Sequence, residues 1–226
     1  MTSNFHDNTC TLIVAAGDGT RLGGQPKALV MVGGMTLIER VTKLVSEFSS
    51  QVVVGVRKED VSHVRKIVAP GIDVVPGGVT RQETVQHLLA KARKQMVLIH
   101  DVARPFTSQT LFESVLEAAF RYGGATPVLP ATKSDSIALS DGEWLGAPLP
   151  RDKVVLTQTP YAFERQSLVE AMRQAEEEGW EDTTITALMT RAGYRVRLVP
   201  GETVNSKITY PQDLQAAREY FDRERS

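Results

Sequence analysis

Arg21 and Lys27 stand on a stretch that reads Ala15-Ala16-Gly17-Asp18-Gly19-Thr20-Arg21-Leu22-Gly23-Gly24-Gln25-Pro26-Lys27, directly after the apolar run Leu12-Ile13-Val14. Small residues at Ala15, Ala16, Gly17 and Gly19 let a backbone come close to a ligand. Successive N–H groups in such a loop make a concavity for an anion. Cations on the same loop would neutralise charge that develops during transfer. The chemistry suited to this combination is transfer on a polyphosphate. Two common phosphate loops are excluded. No G-x-x-x-x-G-K-[ST] is present, and Gly17-x-Gly19 is followed by Leu22 where a dinucleotide fingerprint needs its third glycine.

Four further segments carry small or charged residues just after apolar runs. Pro76-Gly77-Gly78-Val79-Thr80-Arg81 precedes a helical pattern, with Thr84 one turn inside it. His100-Asp101-Val102-Ala103-Arg104-Pro105 places an acid and a base three apart, close enough to pair with each other or to line a polar pocket. His100 reads better as a hydrogen-bonded histidine at a strand end than as a general base. Thr157-Gln158-Thr159-Pro160 and Asn205-Ser206-Lys207-Ile208-Thr209 complete the set.

The elements that must hold these residues alternate along the chain. Leu12–Ala16, Gln51–Val56, Ile72–Val75, Met96–Ile99, Ala125–Leu129 and Arg195–Val199 read as strands. Lys58–Val68, Arg81–Arg93, Arg165–Glu178, about Thr184–Arg191 and Pro211–Arg223 read as helices. Thr36 to Glu39 is a capping box, opening a helix in which Leu37, Ile38, Val41, Leu44, Val45 and Phe48 recur at helical spacing. Ser108 caps another helix, ending near Tyr122. This alternation predicts one α/β domain over residues 1–226: a Rossmann-like, mostly parallel sheet with helices on both faces. Ligands of such sheets bind beyond the carboxyl ends of the strands, where all five segments fall. The alternation breaks over Ala131–Pro150, which carries prolines and only short apolar pieces. A loop of that length inside a compact domain usually has a function. The reading here is an extended dimerisation arm, at about residues 131–153, that packs on a second subunit.

With 26 Lys plus Arg against 27 Asp plus Glu, the net charge is −1, which argues against a general nucleic-acid surface. The single cysteine, Cys10, excludes an intrachain disulfide and suits a reducing compartment, so a cytoplasmic location is expected. The first ten residues lack a secretory core, and no apolar run is long enough for a membrane span.

The signature A-A-G-x-G-x-R followed by P-K resembles that of nucleotidyltransferases that couple a nucleoside triphosphate to a sugar or polyol phosphate. The ordered set A-A-G-x-G-x-R-(x5)-K, G-G-x-x-R-x-x-[ST]-V, H-D-x-A-R-P, Q-T-P and N-x-K-x-T resembles the 2-C-methyl-D-erythritol 4-phosphate cytidylyltransferase family, from about Leu12 to Tyr220. The resemblance implies a Rossmann-like homodimer. It also implies a magnesium-dependent reaction of CTP with a polyol phosphate that releases pyrophosphate in isoprenoid-precursor synthesis. Carried onto this chain, it implies Arg21, Lys27 and Lys207 as catalytic cations. It implies Ala15, Ala16, Gly17, Gly19, Gly78, Arg81, Thr84 and Asp101 around CTP. It implies Arg104, Thr159 and Thr183 around the acceptor, with Ser136 and Arg151 reaching the acceptor phosphate of the other subunit. The metal would rest mainly on CTP phosphates.

Three departures fall on the acceptor side. The family commonly reads T-D-[DE]-A-S where this chain has Thr183-Thr184-Ile185-Thr186-Ala187, with Asp182 one step early. The arm is about two residues longer than usual, with Ser136 in place of a threonine. Tyr161 follows Gln-Thr-Pro where glutamine is usual. These departures keep a second acceptor open, ribitol 5-phosphate or another polyol phosphate. A non-catalytic nucleotide-binding module is the alternative from another class; it could keep the glycines but would not need Arg21, Lys27 and Lys207.

Overall fold

The computed structural model describes residues 3–131 and 137–223. In chain order the elements are α1 (Ser3–Asn8), β1 (Thr9–Val14), β2 (Met31–Val32), β3 (Met35–Thr36), α2 (Leu37–Val45), β4 (Gln51–Val56), α3 (Val61–Ile67), β5 (Asp73–Pro76), α4 (Arg81–Leu89), β6 (Met96–Asp101), α5 (Gln109–Tyr122), β7 (Gly124–Pro130), β8 (Ala138–Asp141), β9 (Trp144–Pro148), β10 (Val155–Thr157), β11 (Tyr161–Glu164), α6 (Arg165–Glu177), α7 (Ile185–Arg191), β12 (Arg197–Pro200) and α8 (Pro211–Arg223).

The main sheet runs β5-β4-β1-β6-β11-β7-β12. β5, β4, β1 and β6 are parallel, and β7 with β12 run the same way. β11 runs against both β6 and β7, and β10 continues along the same side of β7. This fits the expected mostly parallel α/β sheet. Side chains alternate across it as the pleat demands. Ile13, Val52, Val54, Val56, Met96 and Leu98 pack beneath α2, α3, α5 and α8. Cys10, Leu12, Val53, Val97, Ile99 and Phe163 pack beneath α4, α6 and α7.

The caps hold where the sequence placed them. The Thr36–Glu39 box is formed, with the Thr36 side chain accepting from the Glu39 N–H, and Ser108 caps α5 through the Leu111 N–H. Several details differ from expectation. The first strand is Thr9–Val14 rather than Leu12–Ala16, because Thr9 and Thr11 are buried with partners: Thr9 Oγ1 donates to Phe5 O at 2.6 Å, and Thr11 Oγ1 meets Ser49 Oγ at 2.5 Å. A short helix precedes it, pinned by Phe5 stacked on Phe120. The helix expected to reach Arg93 stops at Leu89. β11 is a strand that the sequence pattern does not predict. The stretch read as an irregular excursion contains the β8–β9 hairpin, a separate two-stranded sheet that exposes Leu139, Trp144 and Leu145.

Candidate active site at the carboxyl edge of the sheet

Register decides which loops meet. Val14 pairs with Asp101, and Gly55 sits beside Val14, so the glycine loop leaves β1 next to the last residue of β6. The Ala15 N–H donates to Gly55 O at 2.8 Å and the Val102 N–H to Val14 O at 3.2 Å, which ties the loop to both neighbours. The loop then folds on Gly19, which has φ of +63°; a Cβ there would lie 1.9 Å from Gln25 O. The Gly19 carbonyl accepts from the Leu22 and Gly24 N–H groups, and the Lys27 N–H reaches back to Gly17 O. Lys27 is thereby turned over its own loop.

The second glycine pair is held from below. Thr84 is buried; its Oγ1 donates to Thr80 O at 2.9 Å and accepts from the Gly78 N–H at 3.0 Å. A Cβ on Gly77 would sit 2.5 Å from the Ala16 Cβ, so the two glycine-containing loops touch there. A Thr80–Glu83 capping box starts α4 with Arg81 in its first turn.

The late loop returns Lys207 to the same edge. The Ile208 N–H donates to Ala103 O at 2.9 Å, and Lys27 Nζ donates to Ile208 O at 3.0 Å. Asn205 anchors that loop, with no exposed surface. Its Nδ2 donates to Thr159 O at 2.8 Å, its Oδ1 accepts from Thr107 Oγ1 at 2.8 Å, and its carbonyl accepts from Arg104 Nη1 and Gln158 Nε2.

Two adjoining cavities result. The first, about 240 Å³, is lined by Ala15, Gly17, Gly19, Arg21, Lys27, Arg81, Asp101 and Lys207, together with Val14, Asp18, Thr20, Val102 and Ala103. The second, about 140 Å³, is lined by Arg104, Thr159 and Thr183, with Thr157, Gln158, Tyr161 and Thr184, and shares Arg81, Asp101 and Lys207 with the first. Asp101 is the seam. Its Oδ1 lies 2.5 Å from Arg81 Nη2 and its Oδ2 lies 2.8 Å from Lys207 Nζ. These two cations overcome the burial of the carboxyl and hold it well below the usual carboxylate range. Burial and the neighbouring Lys207 and Arg21 push Lys27 below the usual lysine range. Four cations line the first cavity against the carboxylates Asp18 and Asp101. Such a surplus favours an anion.

Asp101 does not pair with Arg104, the alternative that their spacing allowed. Arg104 points its guanidinium at the Asn205 carbonyl instead. His100 is fully buried, its Nε2–H donates to Arg104 O at 3.0 Å, and burial pushes its pKa down to about 4. It is a neutral structural histidine. Ala16, Gly78 and Thr84 are not among the residues that line the first cavity, although Ala16 and Thr84 pack close to Gly77. Arg151 lies on a single 3-10 turn and lines neither cavity, and Ser136 lies outside the described residues. Thr184 N-caps α7 and Ile185 is core, while Asp182 faces Arg191 at 3.7 Å. Sequence spacing alone gives Tyr161, Gln158 and Asn205 no role, although each stands in or beside a motif singled out above.

The family model described as IspD, 2-C-methyl-D-erythritol 4-phosphate cytidylyltransferase, matches residues 9–223. The chain belongs to the IspD family. It is 41% identical over 214 residues to the 2-C-methyl-D-erythritol 4-phosphate cytidylyltransferase of Thermus thermophilus, covering 91% of this chain and 93% of that one. The Deinococcus radiodurans protein of the same name is 37% identical over 217 residues, covering 92% and 88%. Among solved IspD structures, that of Thermus thermophilus superimposes with a TM-score of 0.78 at 39% identity, covering 93% of this chain and 97% of that chain. The 4-diphosphocytidyl-2C-methyl-D-erythritol synthase of Anaerococcus prevotii gives 0.83 at 25% identity, covering 96% and 99%. These IspD relatives carry the methylerythritol acceptor in their names; none of them points to ribitol phosphate or to a binding module. Among the described residues, no helix of this IspD chain is long and apolar enough to cross a membrane.

Proposed function

We propose that this chain transfers CMP from CTP to 2-C-methyl-D-erythritol 4-phosphate, releasing pyrophosphate. The observation that carries the reading is the cationic cavity built on bare loop amides and joined through Asp101 to a second, hydroxyl-lined cavity. The triphosphate lies over the Ala15–Lys27 loop, with Arg21 and Lys27 on its charge, and the acceptor lies against Arg104, Thr159 and Thr183.

The reaction needs no protein nucleophile. An acceptor phosphate oxygen is anionic at neutral pH and attacks the α-phosphorus of CTP. One P–O bond forms and the bond to the bridging oxygen breaks, with the electron pair leaving on pyrophosphate. Positioning and charge stabilisation supply most of the catalysis. Lys27 and Lys207 face that charge from two sides, and Asp101 holds Lys207 in place. Cys10 is not a competing nucleophile: it is buried, and burial pushes its thiol up to about 12.

Among the described residues no group of three or more His, Cys, Asp or Glu side chains could hold a metal ion. Both Asp101 oxygens are already ion-paired. This donor set fits magnesium carried on the triphosphate, with Asp18 and Asp101 as the nearby carboxylates. Bound there, magnesium would screen the phosphate charge.

The working unit in this proposal is a cytoplasmic homodimer whose arm, with the β8–β9 hairpin and Arg151 just after it, presents Arg151 to the partner's acceptor cavity. The exposed Trp144 and Leu145 and the absence of Arg151 from the lining of its own cavities support it. Mixing Lys27→Ala and Arg151→Ala chains should restore about a quarter of native activity, because half of the subunit pairs then hold one intact site. No gain over the separate variants would dismiss the shared site.

Pyrophosphate release with CTP, magnesium and a panel of methylerythritol 4-phosphate, erythritol 4-phosphate and ribitol 5-phosphate tests the reading. Fast turnover with the first alone is expected. A preference for ribitol 5-phosphate would reassign the acceptor.

A further inference from the structure

Tyr161 has no part in the chemistry above, yet it lines the second cavity next to Arg81, one of the residues the two cavities share. It opens β11, is 3% exposed and lines the second cavity. Its ring is packed with Phe163, centroids 5.8 Å apart. Its hydroxyl accepts a hydrogen bond from Arg81 Nη2 at 3.1 Å. The same nitrogen faces Asp101 Oδ1 at 2.5 Å, and Asp101 Oδ2 faces Lys207 Nζ at 2.8 Å. A continuous line of contacts therefore runs Tyr161–Arg81–Asp101–Lys207, and its last three members line both cavities.

Arg81 is exposed to a conflict at that position. A phosphate entering either cavity competes with Asp101 for the guanidinium, and an arginine that swings to the phosphate leaves Asp101 with Lys207 alone. A neutral phenol holds the guanidinium without adding a second negative charge to the site. It is fixed by β11 from the side opposite the glycine loop, so it does not move with that loop. A hydrogen bond to a charged, half-buried partner is also among the stronger kinds.

We propose that Tyr161 is a positioning residue whose phenol fixes the Arg81 guanidinium at the seam between the two cavities, so that Asp101 stays turned to Arg81 and Lys207 together as substrates bind. The proposal rests on the nucleotidyl-transfer reading for its kinetic test, but not for its structural one.

Tyr161→Phe keeps the ring and its packing and removes only the hydroxyl. Turnover is measured for the native chain, Y161F, R81K and the double variant. Y161F is expected to lower kcat about tenfold, the scale of a hydrogen bond to a charged group. In the R81K background the same change should cost less than about twofold, because the partner of the phenol is gone. A tenfold loss in both backgrounds, or none in the native one, overturns the proposal. A purely packing role gives no such dependence on Arg81. The side-chain Nη–H resonances of Arg81, assigned by their absence in R81K, provide a readout without any acceptor. Slow hydrogen exchange in the native chain and fast exchange in Y161F are expected; equal exchange overturns the proposal even if no acceptor in the panel reacts. If the native chain shows no turnover while Y161F releases Arg81, the acceptor reading fails and the positioning role stands.

Discussion

The two halves of the site are made of different material. The first cavity, proposed here for the nucleotide, is largely backbone: loop amides between Ala15 and Lys27, a Gly19 whose added Cβ would collide with Gln25 O, and cations set around them. The second cavity, proposed for the acceptor, is made of side chains: hydroxyls of Thr157, Thr159, Thr183 and Thr184, the Gln158 amide, the Tyr161 phenol and the Arg104 guanidinium. A backbone-built pocket is fixed by the fold, and one residue of the wrong shape at Gly19 would break it. A side-chain pocket can be rewritten one residue at a time. The departures from the family pattern at Tyr161, Thr184 and Ile185 all fall in or beside the second kind.

The contrast can be broken most sharply at Lys27. Lys27→Ala should lower kcat about a hundredfold or more, the cost of removing one preorganised donor to developing charge. Pyrophosphate release from a folded variant at near-native rate would erase the distinction between a charge-stabilising half and a recognising half. Arg104→Ala should come next. It is expected to raise the KM for the acceptor about 30-fold and that for CTP less than threefold, in proportion to a lost charged hydrogen bond. The reverse ratio, in paired steady-state titrations, would interchange the two halves.

His100 lies beneath both halves, so its replacement should alter stability. Its pKa falls from 6.5 in the unfolded chain to about 4 in the fold. Between those values the unfolded chain binds the proton and the folded one does not, so stability is present above pH 6.5 and is lost as pH falls toward 4. The loss should total about 3 kcal/mol. Asp101 acts in a lower window, because its depressed carboxyl costs stability only as pH falls below the unfolded value near 4. Urea unfolding of His100→Gln at pH 7 and pH 4.5 should lack most of the native slope; an unchanged slope would assign it to another group. The smallest effect is expected at Thr184→Asp. Aspartate also caps a helix, so α7 should persist, and the acceptor KM should fall about two- to threefold with CTP unaffected, the scale of a partly exposed charged contact. A rise would show that an uncharged wall at Thr184 is part of this chain's recognition.

The same division governs what is legible in the sequence. The glycine loop, the Thr36 and Ser108 caps, the strand Gln51–Val56 and the helix Pro211–Arg223 are local patterns, and they stand where the sequence placed them. β11 escapes because four residues flowing straight into a helix carry too little alternation to mark a strand. The start of β1 escapes because Thr9 and Thr11 are polar, and only tertiary partners explain their burial. Arg81 and Asp101 both stand out in the sequence, yet their pairing depends on α4 and β6 meeting across a register that no local pattern contains. Gln158 and Asn205 are held in place by hydrogen bonds to distant parts of the chain, so their residue types alone say little.

The reversed strand β11 has a consequence for how such a protein can diversify. Because β11 enters the sheet from the carboxyl edge, Thr157, Gln158, Thr159 and Tyr161 of the second cavity's wall lead into a strand at this edge, and they connect without interruption to the end of the arm. These four wall residues and the arm thus form one uninterrupted run of chain, with the glycine loop far upstream. A single exchanged segment could alter what the protein accepts while the machinery that spends the nucleotide is inherited intact.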